Sequence, residues 1–477
     1  MYPPFKLAKL SPSALCASGL RTVARKEKHR TSGIRKNKAK TLLSRQAHLK
    51  NVESYFGLIM KTFKGGIHLD YHKELTAGKP IRNAKEPKVA VIHLSQGGAI
   101  CDPIVAVGDL VKSGQKLGDC GKLISAPVHS SVSGKVTAIE NAPHPSGAVS
   151  KAVYIESDGK NVSIEPIMNL SVRDAGIVGM GGGSFPTHIK LKPPMGHRID
   201  TVILNGAECE PYITCDHALM LEEPLSIVEG LMNILNTVGA KQGIIAIEDN
   251  KLDAYCKIKE IVGQDSIRIE LVETKYPEGG EKELIYALLK REVPSGGLPI
   301  DTGCIVSNVA TAHAINRSQK TGMPLTERVI TVTGAVKNPS NLRVKVGTRI
   351  SDLIDDCGGF SGEPKKIIIG GPMMGICQQT LETPVAKCTT CVLVLDENDV
   401  KLFEEQSCIR CCRCVDACPV QLMPNFLADY SQNKMFKKAV DEGAMDCIEC
   451  GICSYVCPTR RELVHWIKSA KEKRGKK

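Results

Sequence analysis

The sequence predicts a multidomain α/β chain that ends in a helical, cysteine-rich module, and three observations carry that prediction. Short β-type runs separated by turn residues fill positions 89–156, strand-like and helix-like patterns alternate from 201 past 311, and a doubled cysteine array occupies 408–458. The alternation implies a mainly parallel, Rossmann-like sheet covered on both faces, while closely spaced turns imply antiparallel β modules. A chain of 477 residues with 42% apolar content has room for about three or four compact domains. The expected boundaries are a basic extension at 1–59, a β barrel-sandwich domain at 60–160, an α/β domain at 161–323, a small β-grasp unit at 324–386 and the helical cysteine module at 387–477.

The formal charge of +12 is concentrated at one end: residues 1–59 hold thirteen Lys and Arg against two acids, so the body that follows is close to neutral. That distribution argues against nucleic acid as a partner of the body. The extension is poor in acids, superficially like a transit peptide, but composition changes abruptly at Met60. The expectation is an upstream start codon or a disordered tail. No apolar run approaches the roughly 18–20 residues of a membrane helix, so no direct membrane span is expected.

Strands are expected at 89–94, 104–111, 122–124, 135–139 and 152–155. With Gly108-Asp109 and Ser133-Gly134 at its turns, this region looks like the flattened β sandwich of the lipoyl and biotinyl type. A carrier arm needs a lysine on an exposed hairpin, and 124–134 has none, so the module is read as a docking or packing unit. The α/β region is expected to place strands at 201–204, 243–247, 267–272 and 304–309, with helices at 219–238, 252–262, 282–290 and from about Thr311. Sheets of this kind bind ligands at the carboxyl ends of their strands, near a switch in strand order. Strands at 328–334, 342–346 and 366–369 around a helix at 349–356 form the β-grasp unit. Cys388 and Cys391 are a lone C-x2-C pair before a strand at 392–395 and are read as ordinary cysteines.

In the terminal array, Cys408, Cys411, Cys414 and Cys418-Pro419 repeat the intervals of Cys447, Cys450, Cys453 and Cys457-Pro458. This is the spacing of a pair of [4Fe-4S] clusters, in which the cysteine before proline ligates the other cluster. Cys408, Cys411, Cys414 and Cys457 are therefore assigned to one cluster, and Cys447, Cys450, Cys453 and Cys418 to the second. Zinc is disfavoured because its sites pair short knuckles or mix Cys with His. Cys412 is read as a bystander. A helix-like pattern across 422–444 implies that the clusters sit on a helical scaffold.

The second strong signal is the glycine-rich stretch 176–190, where missing Cβ atoms let backbone N–H groups approach a phosphate or flat ring. Ser184 stands where a third Rossmann glycine would fall, the loop precedes the first strand, and no Gly-Lys-Ser/Thr supports a P-loop. With Asn205-Gly-Ala-Glu208-Cys-Glu210, Tyr276-Pro-Glu-Gly-Gly-Glu281 and Ser307-Asn308-Val-Ala-Thr311, it resembles the NADH- and FMN-binding flavoprotein subunit of respiratory complex I. Joined to the β sandwich and the doubled cluster motif, the pattern from about Phe63 to Lys468 resembles the RnfC family, peripheral subunits of Rnf electron-transport complexes. The resemblance implies a noncovalent FMN and an NAD(H) site. Gly179, Gly181, Gly182, Gly183 and Lys190 would line flavin and nucleotide, and Asn205, Glu208 and Glu210 would face the flavin or nicotinamide. Glu281 would orient near the flavin, and Asn308 and Thr311 would hold its phosphate at a helix amino end.

By that resemblance, the chain is a ferredoxin:NAD+ oxidoreductase subunit on the cytoplasmic side of a bacterial cell membrane. Its expected partners are integral membrane subunits that move Na+ or H+ and a ferredoxin-like subunit. A related cobalamin reductase and an electron-relay scaffold without flavin are the alternative functions. Hydride passes between nicotinamide and flavin directly, so no catalytic acid or base is expected among the side chains. Mass spectrometry of the natural protein is expected to find no peptide from within residues 1–50, and recovery of such peptides would remove the start-codon reading.

Overall fold

In the computed structural model the described residues are 60–263, 265–401 and 403–474, and the expected basic extension at 1–59 lies outside them. A short strand β1 (Ile81–Asn83) precedes β2 (Val89–His93), β3 (Asp102–Pro103), β4 (Leu110–Val111), β5 (Lys116–Asp119), β6 (Val128–His129), β7 (Gly134–Pro143) and β8 (Val149–Ser157). β2 to β8 pair antiparallel in two sheets, β2-β8-β7-β4 and β3-β5-β6, around Ile92, Leu94, Leu117, Val128, Val136 and Ile155. The strands expected at 104–111 and 122–124 are largely turns. Asp109 Oδ2 accepts the Ala106 N–H at 2.8 Å, which leaves only β4 in the ladder, and the Ser125 hydroxyl donates to the Lys122 carbonyl at 2.7 Å and bends the second.

After the single-turn helix α1 (Thr187–Lys190) come β9 (Thr201–Gly206), α2 (Cys215–Glu222), α3 (Pro224–Val238), β10 (Gln242–Glu248), α4 (Leu252–Ile261), β11 (Ile267–Val272), α5 (Glu281–Leu289), β12 (Cys304–Asn308) and α6 (Val309–Thr321). The sheet is ordered β11-β10-β9-β12 and every pair is parallel. Strand order therefore reverses between β9 and β12, whose carboxyl ends carry Asn205 and Asn308 directly opposite each other. This is where an open α/β sheet leaves a crevice for a ligand. The single helix expected at 219–238 is two. Pro224 has no N–H to donate, so it ends α2 and starts α3 at a position where that donor is not needed.

The next sheet draws strands from three parts of the chain. β13 (Glu327–Gly334), β14 (Ser340–Lys345), α7 (Ile350–Asp356), β15 (Pro364–Ile369), β16 (Ile376–Cys377) and β17 (Cys391–Asp396) assemble with β1 in the order β1-β14-β13-β17-β15-β16. β17 runs parallel to β13 and antiparallel to β15, with Val392 and Val394 in the same core as Ile330, Leu342 and Leu353. The boundary expected after residue 386 is thus displaced: 391–396 belongs to the middle of this sheet and not to the cysteine module. A strand so apolar is stable only when both faces are covered.

The cysteine module holds α8 (Arg413–Asp416), α9 (Pro424–Gln432), α10 (Phe436–Asp441), α11 (Ile452–Tyr455) and α12 (Leu463–Arg474), packed through Leu427, Ala439, Ala444, Ile467 and Ala470. Elsewhere, the buried Lys387 clamps the sandwich to the glycine loop: its Nζ donates to the Pro127 carbonyl at 2.8 Å and the Gly176 carbonyl at 2.7 Å. Where α3 crosses α6, a Cβ on Gly230 would lie 2.1 Å from the Ala312 carbonyl oxygen. Gly230→Ala is expected to cost about 1–3 kcal/mol by forcing these helices apart, seen as a lowered Tm of the full chain.

Candidate functional site

At the β9/β12 crevice lies a cavity of about 450 Å³. Gly181, Asn205, Glu208, Glu210, Glu281 and Asn308 line it, so the fold brings together six sequence candidates spread over more than a hundred positions. Asn205 Nδ2 donates to the Gly279 carbonyl at 2.8 Å, which ties β9 to the second glycine turn. Asn308 caps α6, its Oδ1 accepting the Ala310 N–H at 2.8 Å, while its Nδ2 donates to Asp216 Oδ2 at 2.6 Å. A Cβ on Gly181 would stand 3.2 Å from Asn308 Cβ, so glycine is what lets the loop lie against this cap.

The remaining candidates do not line the cavity. Gly179 closes the loop on itself, donating to the Phe185 carbonyl at 2.8 Å, and Gly182 (φ 105°) and Gly183 face open space. Lys190 forms an ion pair with Glu281. Thr311, expected to hold a phosphate, is buried, and its hydroxyl accepts the Met180 N–H at 2.9 Å. It fastens the glycine loop to α6.

The acidic loop after β9 is held from below. Glu208, itself in left-handed backbone (φ 54°), accepts the N–H groups of Asp216 at 2.7 Å and His217 at 3.2 Å and so caps α2. Glu210 accepts from Met374 N–H at 2.8 Å and Met373 N–H at 3.2 Å. Lys73 Nζ donates to the carbonyls of Glu208 (2.8 Å), Glu210 (3.0 Å) and Ile213 (2.5 Å). Beneath them, the buried Lys251 pairs with Glu248 at 2.8 Å and donates to the Ala207 carbonyl at 2.6 Å. Burial, then the neighbouring Glu208, push the Asp216 carboxyl up to about 7, and burial does the same to Glu210 against its two N–H donors. Lys73 and Lys251 carry no local motif, and nothing in the sequence marks them.

The cysteines fall into two groups that exchange their fourth members. Cys408, Cys411, Cys414 and Cys457 surround one small cavity, which Cys412 also borders. Cys418, Cys447, Cys450 and Cys453 lie within electrostatic reach of one another. The local geometry repeats: Arg410 N–H donates to Cys408 Sγ and Glu449 N–H to Cys447 Sγ, each at 3.4 Å. Cys412 is exposed and its Sγ donates to the Arg410 carbonyl at 3.7 Å. Among the described residues, the one trio of ligand-bearing side chains converging within 4.8 Å is Glu208, Cys215 and Asp216. The motif sulfurs are spread wider than the four sulfurs of a zinc ion, which sit about 2.3 Å from one centre. Cys388 and Cys391 are likewise outside any such trio, and Cys391 is buried in β17.

One side chain joins the cavity to the second group. Tyr276 is fully buried, lines the cavity, and donates its hydroxyl to the Cys450 carbonyl at 2.8 Å. Cys209, Tyr276, Cys450 and Ile452 share one apolar cluster.

Four families match successive parts of the chain: the RnfC barrel sandwich hybrid domain over 61–160, the Nuo51 FMN-binding domain over 172–317, the SLBB domain over 329–376 and the 4Fe-4S dicluster domain over 401–458. The RnfC subunit of the Na(+)-translocating ferredoxin:NAD(+) oxidoreductase complex of Acetobacterium woodii is 47% identical over 426 residues, covering 86% of this chain and 96% of that protein. Its counterpart in the proton-translocating ferredoxin:NAD(+) oxidoreductase complex of Clostridium ljungdahlii is 44% identical over 429 residues, 87% of this chain and 94% of that one. The corresponding subunit of an ion-translocating oxidoreductase complex from Rhodobacter capsulatus is 39% identical over 76% of this chain and 73% of its own. Among solved structures, an air-oxidised NAD+-reducing [NiFe]-hydrogenase superposes with a TM-score of 0.46 at 18% identity, covering 62% of this chain and 61% of the other.

Glu210 gives the site a pH signature. Its carboxyl titrates near 4.5 when unfolded and about 7 when folded, so its protonated form stabilises the fold fully below 4.5, and that contribution is lost as pH rises through 7. The full chain is expected to lose Tm across this window, and Glu210→Gln to make the loss shallower. An unchanged slope in thermal melts would remove Glu210 as its source.

Proposed function

This chain belongs to the RnfC family of ion-translocating ferredoxin:NAD(+) oxidoreductase complexes, and we propose that it passes electrons between NAD(H), a noncovalent FMN and two [4Fe-4S] clusters within such a complex. The observation that carries the reading is Tyr276, which walls the cavity and bonds the backbone of Cys450 in the second cysteine group. FMN, when bound, supplies the conversion between a two-electron hydride and single electrons. The cavity volume lies in the range of small-ligand sites, roughly 300–1,000 Å³. Gly181 and the amino end of α6 offer close backbone approach and a favourable dipole to a flavin phosphate. Asn205, Glu208 and Glu210 form the polar floor that faces the ring or the nicotinamide, and the Lys190–Glu281 pair borders it.

Cys408, Cys411, Cys414 and Cys457 hold one cluster, and Cys418, Cys447, Cys450 and Cys453 the other; the repeated N–H···S bonds favour thiolates in both. The second stands nearer the cavity through Tyr276 and Cys209, so it exchanges electrons with the flavin first. No helix among the described residues is long and apolar enough to cross a membrane. Ion movement is assigned to integral membrane partners, and this chain sits as a peripheral subunit on the cytoplasmic side of the cell membrane, exchanging electrons with a ferredoxin-like subunit.

Anaerobic purification of the full chain is expected to yield about eight irons and about one FMN, with flavin bleaching and cluster EPR signals both appearing on NADH addition. Cys450→Ser is expected to lose about half the iron and to leave flavin bleaching intact. Full iron with no flavin, even after incubation with FMN, would make the chain an electron relay and remove the enzymatic reading.

A further inference from the structure

A hydride carries two electrons and one proton, whereas an iron-sulfur cluster takes an electron and no proton. Each NADH oxidised by the proposed route therefore leaves one proton in the flavin cavity, and the reverse reaction must bring one in. The hydride step needs no side-chain acid or base, but this proton needs an ionisable group between the cavity and water.

Glu283, third residue of α5, stands in that position. It is 4% exposed, and its Oε2 has no hydrogen-bond partner among the described residues. Its side chain lines the flavin cavity and also a second opening of about 360 Å³ between α5 and the cysteine module, bordered by Tyr286, Val420, Leu422 and Asp446. Among the described residues no other carboxyl borders both. Lys282, the other residue common to both, is paired with Asp446 at 3.9 Å. The titratable groups around Glu283 are Lys282 on its own helix, Tyr276 and Glu278 from the preceding turn, and Cys418 and Cys450 from the cysteine module. It makes no hydrogen bond to a motif cysteine among the described residues. Burial pushes its carboxyl up to about 7, against its own backbone N–H and the Lys282 ammonium, so it can gain and lose a proton near neutral pH.

We propose that Glu283 is the proton-exchange group of this site: its Oε2 takes the proton left when a hydride is divided into two cluster-bound electrons and hands it to water in the outer opening. It returns a proton to the cavity when the reaction runs backwards. This inference rests on the electron-transfer reading above and adds a role for a side chain that no sequence motif marks.

The test uses the full chain loaded with FMN and iron-sulfur clusters, mixed anaerobically with NADH in light and heavy water. In Glu283→Gln, iron and FMN content and the rate of flavin bleaching are expected to hold within about twofold. Cluster reduction is expected to slow about tenfold or more and to change its solvent isotope effect, with Glu283→Asp recovering most of the rate. Infrared difference spectra of the wild-type chain on reduction are expected to contain a protonation change of a buried carboxyl, which stays measurable even if the Gln variant fails to assemble clusters. Cluster reduction at the wild-type rate and isotope effect in a Gln variant with full FMN and iron overturns the inference alone, as does a wild-type spectrum without the carboxyl change. A wild-type chain that binds no FMN overturns both the inference and the reading beneath it.

Discussion

The loop from Asn205 to Asp216 carries the polar floor of the cavity and has no ladder or helix to hold it. Three of its carbonyls, from Glu208, Glu210 and Ile213, converge instead on the ammonium of Lys73. A hydrogen bond to a charged group contributes about 1.5–3 kcal/mol, and three of them offset much of the cost of drawing a lysine out of water. That cost is visible in its lowered pKa, caused first by burial and then by the nearby Lys251 ammonium. The loop also places Glu208 and Tyr212 in left-handed backbone, at about 1–2 kcal/mol each, which persists only because the surroundings over-determine it. Removing the cage would free the loop to relax, and Glu208 could no longer cap α2 while Glu210 braces the 371–374 turn.

The same loop gathers Glu208, Glu210 and Asp216 within one cavity, and like charges so close cannot all ionise cheaply. Lys73 and Lys251 lie on the other side of the backbone and compensate part of that charge. Arg328 adds a third cation, buried against the glycine loop, with its Nη1 donating to the Met180 and Lys387 carbonyls at 3.2 and 2.7 Å. The flavin site is thus a floor of acids on a base of cations, a field that is fixed before any ligand arrives.

Electron transfer between modules needs a fixed separation, and this chain fixes it by threading between them. β1 comes from before the sandwich and β17 from after the β-grasp helix, yet both lie in one sheet. Gly66 donates to the Ala417 carbonyl and Ile67 to the Tyr276 carbonyl, each at 2.9 Å, so one short segment binds the cysteine module and the flavin cavity together. A Cβ on Gly65 would meet the Cys418 carbonyl at 2.6 Å, which is why the segment is glycine there.

Features that depend on neighbours in the chain are legible in the residues alone. The intervals between cysteines fix how three thiols share a turn, so both groups of four can be read without a fold. The strand and helix periods imply the parallel sheet, and the Asn308 cap is written in the residues beside it. Features that depend on contacts across the chain had to wait for the fold. Lys73 meets Glu208 from 135 positions away and Tyr276 meets Cys450 from 174, and no local pattern encodes either pairing. Thr311 stands next to the right helix end, but the packing of the glycine loop turns its hydroxyl inward. β17 reads as a strand in isolation, and only the gap between β13 and β15 offers it a sheet to join. Glu283 is one glutamate among many until two cavities meet on either side of it.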